Sequence, residues 1–166
     1  YLQPDGWLGY LASIEELTSE EAAWIGTEAA AILRELEKTS MTKSYKMPTI
    51  GAFLQDGRIV PAVDREMMVR SWREYYAEPA RDKDMERDKA TKNWRSWDDE
   101  RLFRLAERNP IHFLSQGNRF FEYDQINRRF SLNAAILPYL SPALAGHVAD
   151  ILNWRTENYY AKRYKQ

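Results

Sequence analysis

The chain has 166 residues, a net charge of −1, no cysteine and only two histidines. A chain of this length can bury roughly two-thirds of its unfolded surface in one domain without covalent cross-links. The lack of cysteine in the sequence excludes disulfides, thiolate catalysis, iron–sulfur clusters and cysteine zinc sites, and it favours a cytoplasmic location. No apolar run approaches the length of a membrane span and no signal-peptide pattern opens the sequence, so we expect no membrane partner.

The charge is distributed unevenly along the chain. Residues 1–40 contain eight acidic and two basic side chains, a net charge of −6, so residues 41–166 carry +5 of the total of −1. Charge blocks on helices are more often solvated faces than binding sites, but this division lets a mildly basic body meet a polyanion. Because the first residue is Tyr1 rather than methionine, we expect the chain to be part of a longer protein.

Residues 1–40 predict a helical extension at the N-terminus. Pro4-Asp5-Gly6 is a turn sequence that leads into a short aromatic segment. Thr18 has the capping-box partner three residues later, and apolar residues then recur at helical spacing. We predict one amphipathic helix over about residues 18–38, with Ile25 on its apolar face.

Residues 41–140 predict the body of the domain, which begins with two helices. Ser44 can cap the first helix, with Pro48 in or near the first turn, where a missing N–H is tolerated. Asp64 can cap the second helix. Between them, residues 58–60 are long enough only for a short strand.

The body continues with an insertion, a helix and a hairpin. Residues 78–97 alternate in charge, and we expect an exposed insertion that two tryptophans hold to the core. Asp98 can cap a helix over about residues 98–108, which Asn109-Pro110 is expected to end. Apolar stretches on both sides of Asp124-Gln125-Ile126-Asn127 predict a β-hairpin.

The predicted fold class is therefore mostly α (α+β), in one compact domain. Residues 141–166 begin with a cap and a first-turn proline and form a final helix that packs on the same core. The order helix, short strand, helix, insertion, helix and hairpin is that of a winged helix. We predict a winged-helix-like core with helix 98–108 in the recognition position and residues 124–129 at the tip of the wing. A generic mostly helical domain is the alternative.

This arrangement predicts a nucleic-acid-binding face. An arginine stripe lies on helix 98–108 at helical spacing, and arginine can contact base edges or clamp phosphates. The stripe consists of Arg101, Arg104 and Arg108. The wing adds Asn127, Arg128 and Arg129. Further candidates for phosphate contact or base stacking are Lys43, Lys46, Lys92 and Trp94, with Trp97 as an alternative stacking surface. For each arginine, the alternative is a solvated helix face.

The sequence offers no set of catalytic residues. Asp98, Asp99 and Glu100 could ligate a metal ion, but consecutive acids at a helix start are typical of capping and dipole interactions. The hydroxyls around Ser44 have no histidine nearby, so a covalent mechanism lacks its base. We expect this chain to be non-catalytic, with no cofactor, no metal and no small-molecule substrate.

A run of lysines and hydroxyls carries a family resemblance. The run Lys38-Thr39-Ser40-Met41-Thr42-Lys43-Ser44-Tyr45-Lys46-Met47 resembles a signature in the C-terminal region of bacterial superfamily II DNA helicases linked to restriction and phage defence. Less specific similarities over about residues 30–163 lie at Arg87-Asp88-Lys89 with Lys92, Trp94 and Trp97, at Asn109-Pro110-Ile111, and at Phe120-Phe121 leading to Phe130-Ser131-Leu132. In those helicases, similar blocks follow the ATPase core and form an accessory module.

The resemblance implies an accessory domain of a larger ATP-dependent helicase or translocase. Its expected partners are DNA, duplex or single-stranded, and the ATPase core of the parent chain. The sequence departs from the family because it has no phosphate-binding glycine loop, no Asp-Glu box and no arginine-finger motif, so no catalytic residue carries over. A protein–protein docking module of the same type of assembly is the alternative, and the near-neutral charge favours it.

Overall fold

The computed structural model describes residues 6–164. These residues form a mostly helical domain with two small antiparallel sheets, which confirms the predicted α+β class. The turn predicted at Pro4-Asp5-Gly6 lies largely outside the described residues. Within the described part of the chain, no helix has both the length and the apolar character that a membrane crossing needs.

The helices account for most of the described residues. In chain order they are α1 (Gly6–Ser13), α2 (Ser19–Trp24), α3 (Glu28–Lys38), α4 (Lys46–Gly51), α5 (Arg65–Ala77), α6 (Lys83–Glu86), α7 (Asp99–Ala106), α8 (His112–Ser115) and α9 (Pro142–Arg163). A π-helical turn over Glu107–Ile111 joins α7 to α8. Short 3-10 turns cover Trp94–Ser96, Gln116–Asn118 and Ala134–Tyr139.

The strands form one two-stranded and one three-stranded sheet. The first sheet pairs β1 (Leu54–Gln55) with β2 (Arg58–Ile59). The second has the order β3-β5-β4 and consists of β3 (Ala62–Val63), β4 (Phe121–Asp124) and β5 (Arg129–Leu132). The hairpin β4–β5 is thereby confirmed, with Asp124 opposite Arg129. The predicted strand at residues 58–60 exists as β2, but it is β3 that joins the hairpin.

The single helix predicted over residues 18–38 is two helices, so this prediction is wrong. Thr18 caps α2 in a complete capping box, as predicted. The chain then turns at Gly26, whose φ of +77° lies in the left-handed region that glycine tolerates. Thr27 caps α3 by accepting a hydrogen bond from the Ala29 N–H at 3.2 Å. Ile25 lies in this break and is 53% exposed, not on the apolar face.

The sequence predicted that Ser44 caps α4, but Ser44 does not cap this helix. The N-cap position is Tyr45, which makes no side-chain cap bond. Ser44 is instead fully buried, and its backbone N–H donates to the Asp84 carboxylate at 2.8 Å. Its hydroxyl is therefore engaged in the interior of the domain. Pro48 does lie in the first turn of α4.

The helix predicted over residues 98–108 does not end at Asn109-Pro110. A π-helical turn carries the chain through this dipeptide into α8. A π turn can accommodate Pro110, because its altered hydrogen-bond spacing absorbs the missing N–H. The caps at other helices are confirmed, at Asp64 for α5, Asp98 for α7 and Ser141 for α9.

One hydrophobic core extends through the described residues, and α5 runs through it. Trp72 and Tyr76 of this helix are fully buried. Tyr45 stacks on Trp72 with ring centroids 5.2 Å apart, and Trp72 Nε1 donates to Thr49 Oγ1 at 3.0 Å. The first turn of α5 lies beside α7, and its last turn meets the Ser44 hydroxyl. These two ends of α5 carry the two polar clusters described next.

Candidate nucleic-acid interface

α7 exposes the predicted arginine stripe because its apolar and polar positions are separated on two faces. Asp98 begins the helix by accepting a hydrogen bond from the Arg101 N–H at 2.8 Å. The buried face consists of Leu102, Phe103, Leu105 and Ala106. The exposed face includes Arg101 and Arg104, and Arg108 is exposed in the π-helical turn that follows. Helical periodicity therefore placed the stripe correctly, on the solvent side.

The centre of this face is the Glu100 carboxylate, which arginines from three elements surround. Arg128, in the hairpin turn, donates to it through both terminal nitrogens, Nη1 at 2.6 Å and Nη2 also in hydrogen-bond contact. Arg104, one turn further along α7, donates through Nε at 3.1 Å. Arg65, the first residue of α5, lies 3.6 Å away. We call Glu100 and these three residues the arginine cluster.

The arginine cluster carries a surplus of positive charge. Its three guanidinium groups and one carboxylate give these four residues a net charge of +2, and Glu107, which accepts from the Tyr123 hydroxyl, is a second carboxylate that acts on Arg128. The hydrogen bond from Arg128, with the weaker contribution of Arg104, lowers the pKa of Glu100 to about 2. The same contact raises the pKa of Arg128. Glu100 is therefore ionised at neutral pH, and its carboxylate holds the guanidinium groups in place.

The rest of the stripe differs in how its arginines are held. The Arg101 guanidinium lies over the Trp97 ring, 4.2 Å from the ring centroid. The Arg104 side chain is 67% exposed despite its bond to Glu100. Within residues 6–164, neither Arg101 nor Arg108 forms an ion pair with an acidic side chain. The predicted stripe therefore retains cations that can reach a ligand.

The hairpin turn is held in one conformation by the Asp124 side chain. Its Oδ1 accepts from the N–H groups of Ile126 at 3.0 Å and Asn127 at 3.1 Å. Its Oδ2 accepts from Asn127 Nδ2 at 2.6 Å, so the Asn127 amide is engaged in its own turn. Arg128 follows with a φ of +53° and turns its side chain to Glu100. Arg129 is exposed, as predicted for a wing residue.

The predicted stacking role of the two tryptophans is wrong. Trp94 is 3% exposed and Trp97 is 7% exposed. Trp94 packs edge-on against Tyr76, with centroids 6.0 Å apart, and the Arg101 guanidinium covers Trp97. A base cannot stack on ring faces that protein atoms already cover. Their other predicted role, holding residues 78–97 to the core, is confirmed.

The predicted lysines are not brought to the arginine cluster. Lys43 Nζ donates to the Asp84 carbonyl oxygen at 3.3 Å. Lys46 Nζ donates to Thr39 Oγ1 at 2.8 Å, and burial lowers the pKa of this lysine. Lys92 is exposed within the segment 78–97. The first two lysines thus make contacts that stabilise the fold.

A second carboxylate, which the sequence did not reveal, organises the opposite end of α5. Asp84 is 0% exposed and accepts hydrogen bonds from the Ser44 N–H at 2.8 Å and the Tyr159 O–H at 2.9 Å. Ser44 Oγ in turn lies 2.8 Å from each of two further phenol oxygens. We call this set the buried network; it consists of Asp84, Ser44, Tyr76, Tyr159, Tyr160 and Tyr164.

The buried network corrects the prediction that residues 78–97 are an exposed insertion. Asp84, Met85 and Thr91 of this segment are buried, and Thr91 Oγ1 donates to the Met85 carbonyl at 2.7 Å. The charged residues on either side suggested a solvated loop. They obscured a carboxylate that ties the segment to α4, α5 and α9.

The two polar clusters are well separated. Arg65 is the first residue of α5, and Tyr76 lies eleven positions later in the same helix. At about 1.5 Å per residue, this is a distance of about 16 Å along the axis. Ser44 and Lys43 of the run 38–47 therefore contact the buried network, and the arginine cluster is a separate surface site.

Some of the arginine cluster could have been found in the sequence. Glu100 and Arg104 have the i, i+4 spacing of a helical ion pair, which is a usable signal. Arg65 and Arg128 are distant in sequence, and no local pattern connects them to Glu100. The acids next to Glu100 are also occupied, since Asp98 caps α7 and Asp99 Oδ1 accepts from Arg73 Nη2 at 3.0 Å.

Comparisons with known proteins identify no relative, so the functional assignment rests on the site itself. The chain matches no protein-family model, no curated protein and no solved structure. Across residues 6–164, no three histidine or acidic side chains are grouped so that they could hold a metal ion. The resemblance to helicase accessory regions stays a prediction.

Proposed function

We propose that this chain is a non-catalytic domain that binds DNA through the arginine cluster. The observation that carries the proposal is the convergence of Arg65, Arg104 and Arg128 on Glu100, with two positive charges in surplus. A DNA duplex is a dense polyanion, and guanidinium groups bind phosphate oxygens with paired hydrogen bonds. Because Glu100 already orders these side chains, binding sacrifices less conformational freedom.

The order of elements supports a winged-helix-like arrangement. The elements α4, β3, α5, α7 and the hairpin β4–β5 occur in this order, with the β1–β2 pair before β3 and α8 before the hairpin, and β3 pairs with the central strand β5. In such an arrangement α7 takes the recognition position and the turn between β4 and β5 is the wing. A helix fits the major groove, and a hairpin turn can reach the neighbouring backbone. The segment 78–97 departs from the simplest form of this motif, because it separates α5 from α7.

We place this domain beside the ATPase core of a helicase or translocase, in a restriction or phage-defence system of the cytoplasm. The support is the resemblance of the run 38–47, together with the cysteine-free composition. Ser44 and Lys43 of that run contact Asp84 in the interior. The run therefore supports a shared scaffold, and the DNA contact is assigned to the arginine cluster.

Fluorescence anisotropy with a labelled duplex and a labelled single strand tests DNA binding. We expect a dissociation constant in the micromolar range at low salt, because the domain has a net charge of −1 and one basic site. Arg104→Ala should weaken binding by about fivefold. Arg119→Ala is a matched control, since Arg119 is 66% exposed and also pairs with a single glutamate, Glu28. Absence of binding to either DNA at low salt would contradict the proposal.

Protein docking is the second candidate function, and α1 favours it. Trp7 and Tyr10 are exposed at i and i+3 on one face of α1, and the exposed Ile14 follows directly after its last residue. The Trp7 and Tyr10 rings stack with centroids 5.3 Å apart. An exposed apolar stripe of this kind is typical of a helix that packs into a groove of another protein.

A co-purification experiment with the parent ATPase core distinguishes the two candidate functions. If docking is the function, Trp7→Ser should abolish a complex that Arg104→Ala leaves intact. If DNA binding is the function, Trp7→Ser should retain the affinity of the unmodified protein for DNA. The two surfaces are distinct, so each variant reports on one candidate only.

A further inference from the structure

The tip of the hairpin exposes an isoleucine. Ile126 is 93% exposed, well above the other exposed large hydrophobic side chains of the described residues. Single exposed apolar residues are common on protein surfaces and by themselves indicate no site. The position of Ile126 is what distinguishes it, because it lies in a turn that side chains hold in place and that two arginines, Arg128 and Arg129, end.

The exposure of Ile126 is built into the turn. Asp124 accepts hydrogen bonds from the Ile126 and Asn127 N–H groups, which fixes the backbone at the tip. The Arg128 side chain then fixes the base of the turn to Glu100 of α7. The turn is fixed at its tip and at its base, and it therefore holds the isoleucine away from the core.

The surroundings of Ile126 indicate the chemistry of its ligand. Arg128 and Arg129 follow two and three residues later, after Asn127, and the Asp124 carboxylate is engaged within the turn. An apolar tip beside cations matches a ligand with an anionic surface and an apolar interior. A nucleic-acid duplex has this structure, with phosphates outside and stacked bases inside. Proteins that enter the minor groove insert isoleucine, leucine or phenylalanine between base steps in this way.

We propose that Ile126 is a wedge that enters between stacked base pairs of a DNA duplex from the minor groove. Arg129, together with the arginine cluster, holds the phosphates beside the opened step. This inference rests on the proposed function and adds the kind of DNA that the domain selects. Pyrimidine–purine steps unstack easily and A-tracts resist it, so the domain should prefer duplexes with a flexible step.

The test uses two duplexes of equal length, one with a central TA step and one with a central A-tract. Each carries 2-aminopurine at the centre, because its fluorescence rises when the base unstacks. The protein should raise the fluorescence of the TA duplex at saturation and should bind it about threefold more tightly than the A-tract duplex. Anisotropy on the same duplexes reports the affinity independently of unstacking.

Three variants assign the effect to the side chain. Ile126→Ser should abolish the fluorescence rise and the preference for the TA duplex, while salt-sensitive binding persists. Ile126→Leu retains an apolar wedge and should restore both. Ile25→Ser is the matched control, because Ile25 is also an exposed isoleucine but lies between α2 and α3. It should behave as the unmodified protein, and thermal melting should be the same for all variants.

The outcomes distinguish the wedge from DNA binding itself. If Ile126→Ser binds DNA and still raises the fluorescence, the wedge is overturned and the proposed function stands. If Ile25→Ser loses the rise as well, the effect does not belong to the tip and the wedge is again overturned. If the unmodified protein binds neither duplex at low salt, the proposed function and the wedge both fail.

Discussion

Asp84 and Glu100 each gather hydrogen-bond donors from several elements, at opposite ends of α5, yet their surroundings differ. Asp84 is 0% exposed, and its donors include a backbone N–H and two phenols. Glu100 is 35% exposed in its side chain, and its donors are guanidinium groups. The buried carboxylate thus holds the fold together, and the exposed one organises charge that remains available to a ligand.

The different donors explain why substitutions at the two carboxylates should have different effects. Burial and the neighbouring Asp84 raise the pKa of Tyr159, so this phenol stays protonated and donates throughout the neutral range. Loss of a donor or acceptor in such a place leaves a buried polar group unsatisfied. At Glu100, water can replace a lost partner, and the exposed ion pairs add little stability. We therefore expect changes at Asp84 to affect folding and changes at Glu100 to affect binding.

The largest expected effect is the loss of stability in Asp84→Asn. The amide replaces one carboxylate oxygen with an N–H donor, which then faces either the Ser44 N–H at Oδ2 or the Tyr159 O–H at Oδ1. The free energy of unfolding should fall by about 3 kcal/mol, measured by urea denaturation. Asp88→Asn, at a partly exposed carboxylate that contacts Lys43, should lower the free energy of unfolding far less. Equal losses in both variants would contradict the contrast drawn between buried and exposed carboxylates.

Glu100→Gln should have a smaller effect, which is a gain in affinity for DNA rather than a loss of stability. The substitution removes the negative charge from the arginine cluster, so its surplus rises by one. Affinity for duplex DNA at low salt should increase by about threefold, and the gain should disappear at high salt because it is electrostatic. A decrease in affinity at low salt would show that the carboxylate matters more for ordering the arginines than for opposing the phosphates.

Glu100 should also contribute to the loss of stability at acid pH. Its pKa is lowered from 4.5 to about 2 in the folded protein, so its contribution to stability is complete above about pH 4.5 and disappears as the pH falls toward 2. The difference in melting temperature between the unmodified protein and Glu100→Gln should therefore shrink across this window. A difference that is constant down to pH 2 would contradict the folded-state pairing with Arg128.

The smallest expected effect comes from Lys92→Ala. This lysine is exposed, but it lies in the segment 78–97 that the buried network holds. Its removal should change the DNA affinity by less than about twofold. A loss as large as that of Arg104→Ala would extend the binding surface to the other end of α5.

Local interactions were predictable from the sequence. Asp64, Asp98 and Ser141 each cap a helix through the backbone N–H three residues later, so the sequence neighbourhood contains the whole interaction. The hairpin β4–β5 was also predictable, because its strands are separated by a short polar turn. The break at Gly26 was missed, since the apolar period of α3 continues backward across it by coincidence.

Interactions between distant residues were not predictable. Asp84 lies in a run of alternating charges, and only the fold shows that it is covered by phenols from α9. Trp97 lies two residues after Arg95 in the sequence, which suggested a stacking surface, but the side that faces Arg101 is already occupied. The i, i+4 pair of Glu100 and Arg104 could be recognised locally. The approach of Arg128 depends on how the hairpin packs beside α7.

The slope of binding affinity against salt concentration tests the central claim most directly. Each phosphate neutralised on duplex DNA contributes about −0.9 to the slope of log K against log salt. The double variant Arg104→Ala with Arg128→Ala should reduce the magnitude of this slope by about 2 relative to the unmodified protein, whereas Arg119→Ala should leave it unchanged. If the slope of the double variant equals that of the unmodified protein, the arginine cluster does not contact phosphate, and the account is contradicted.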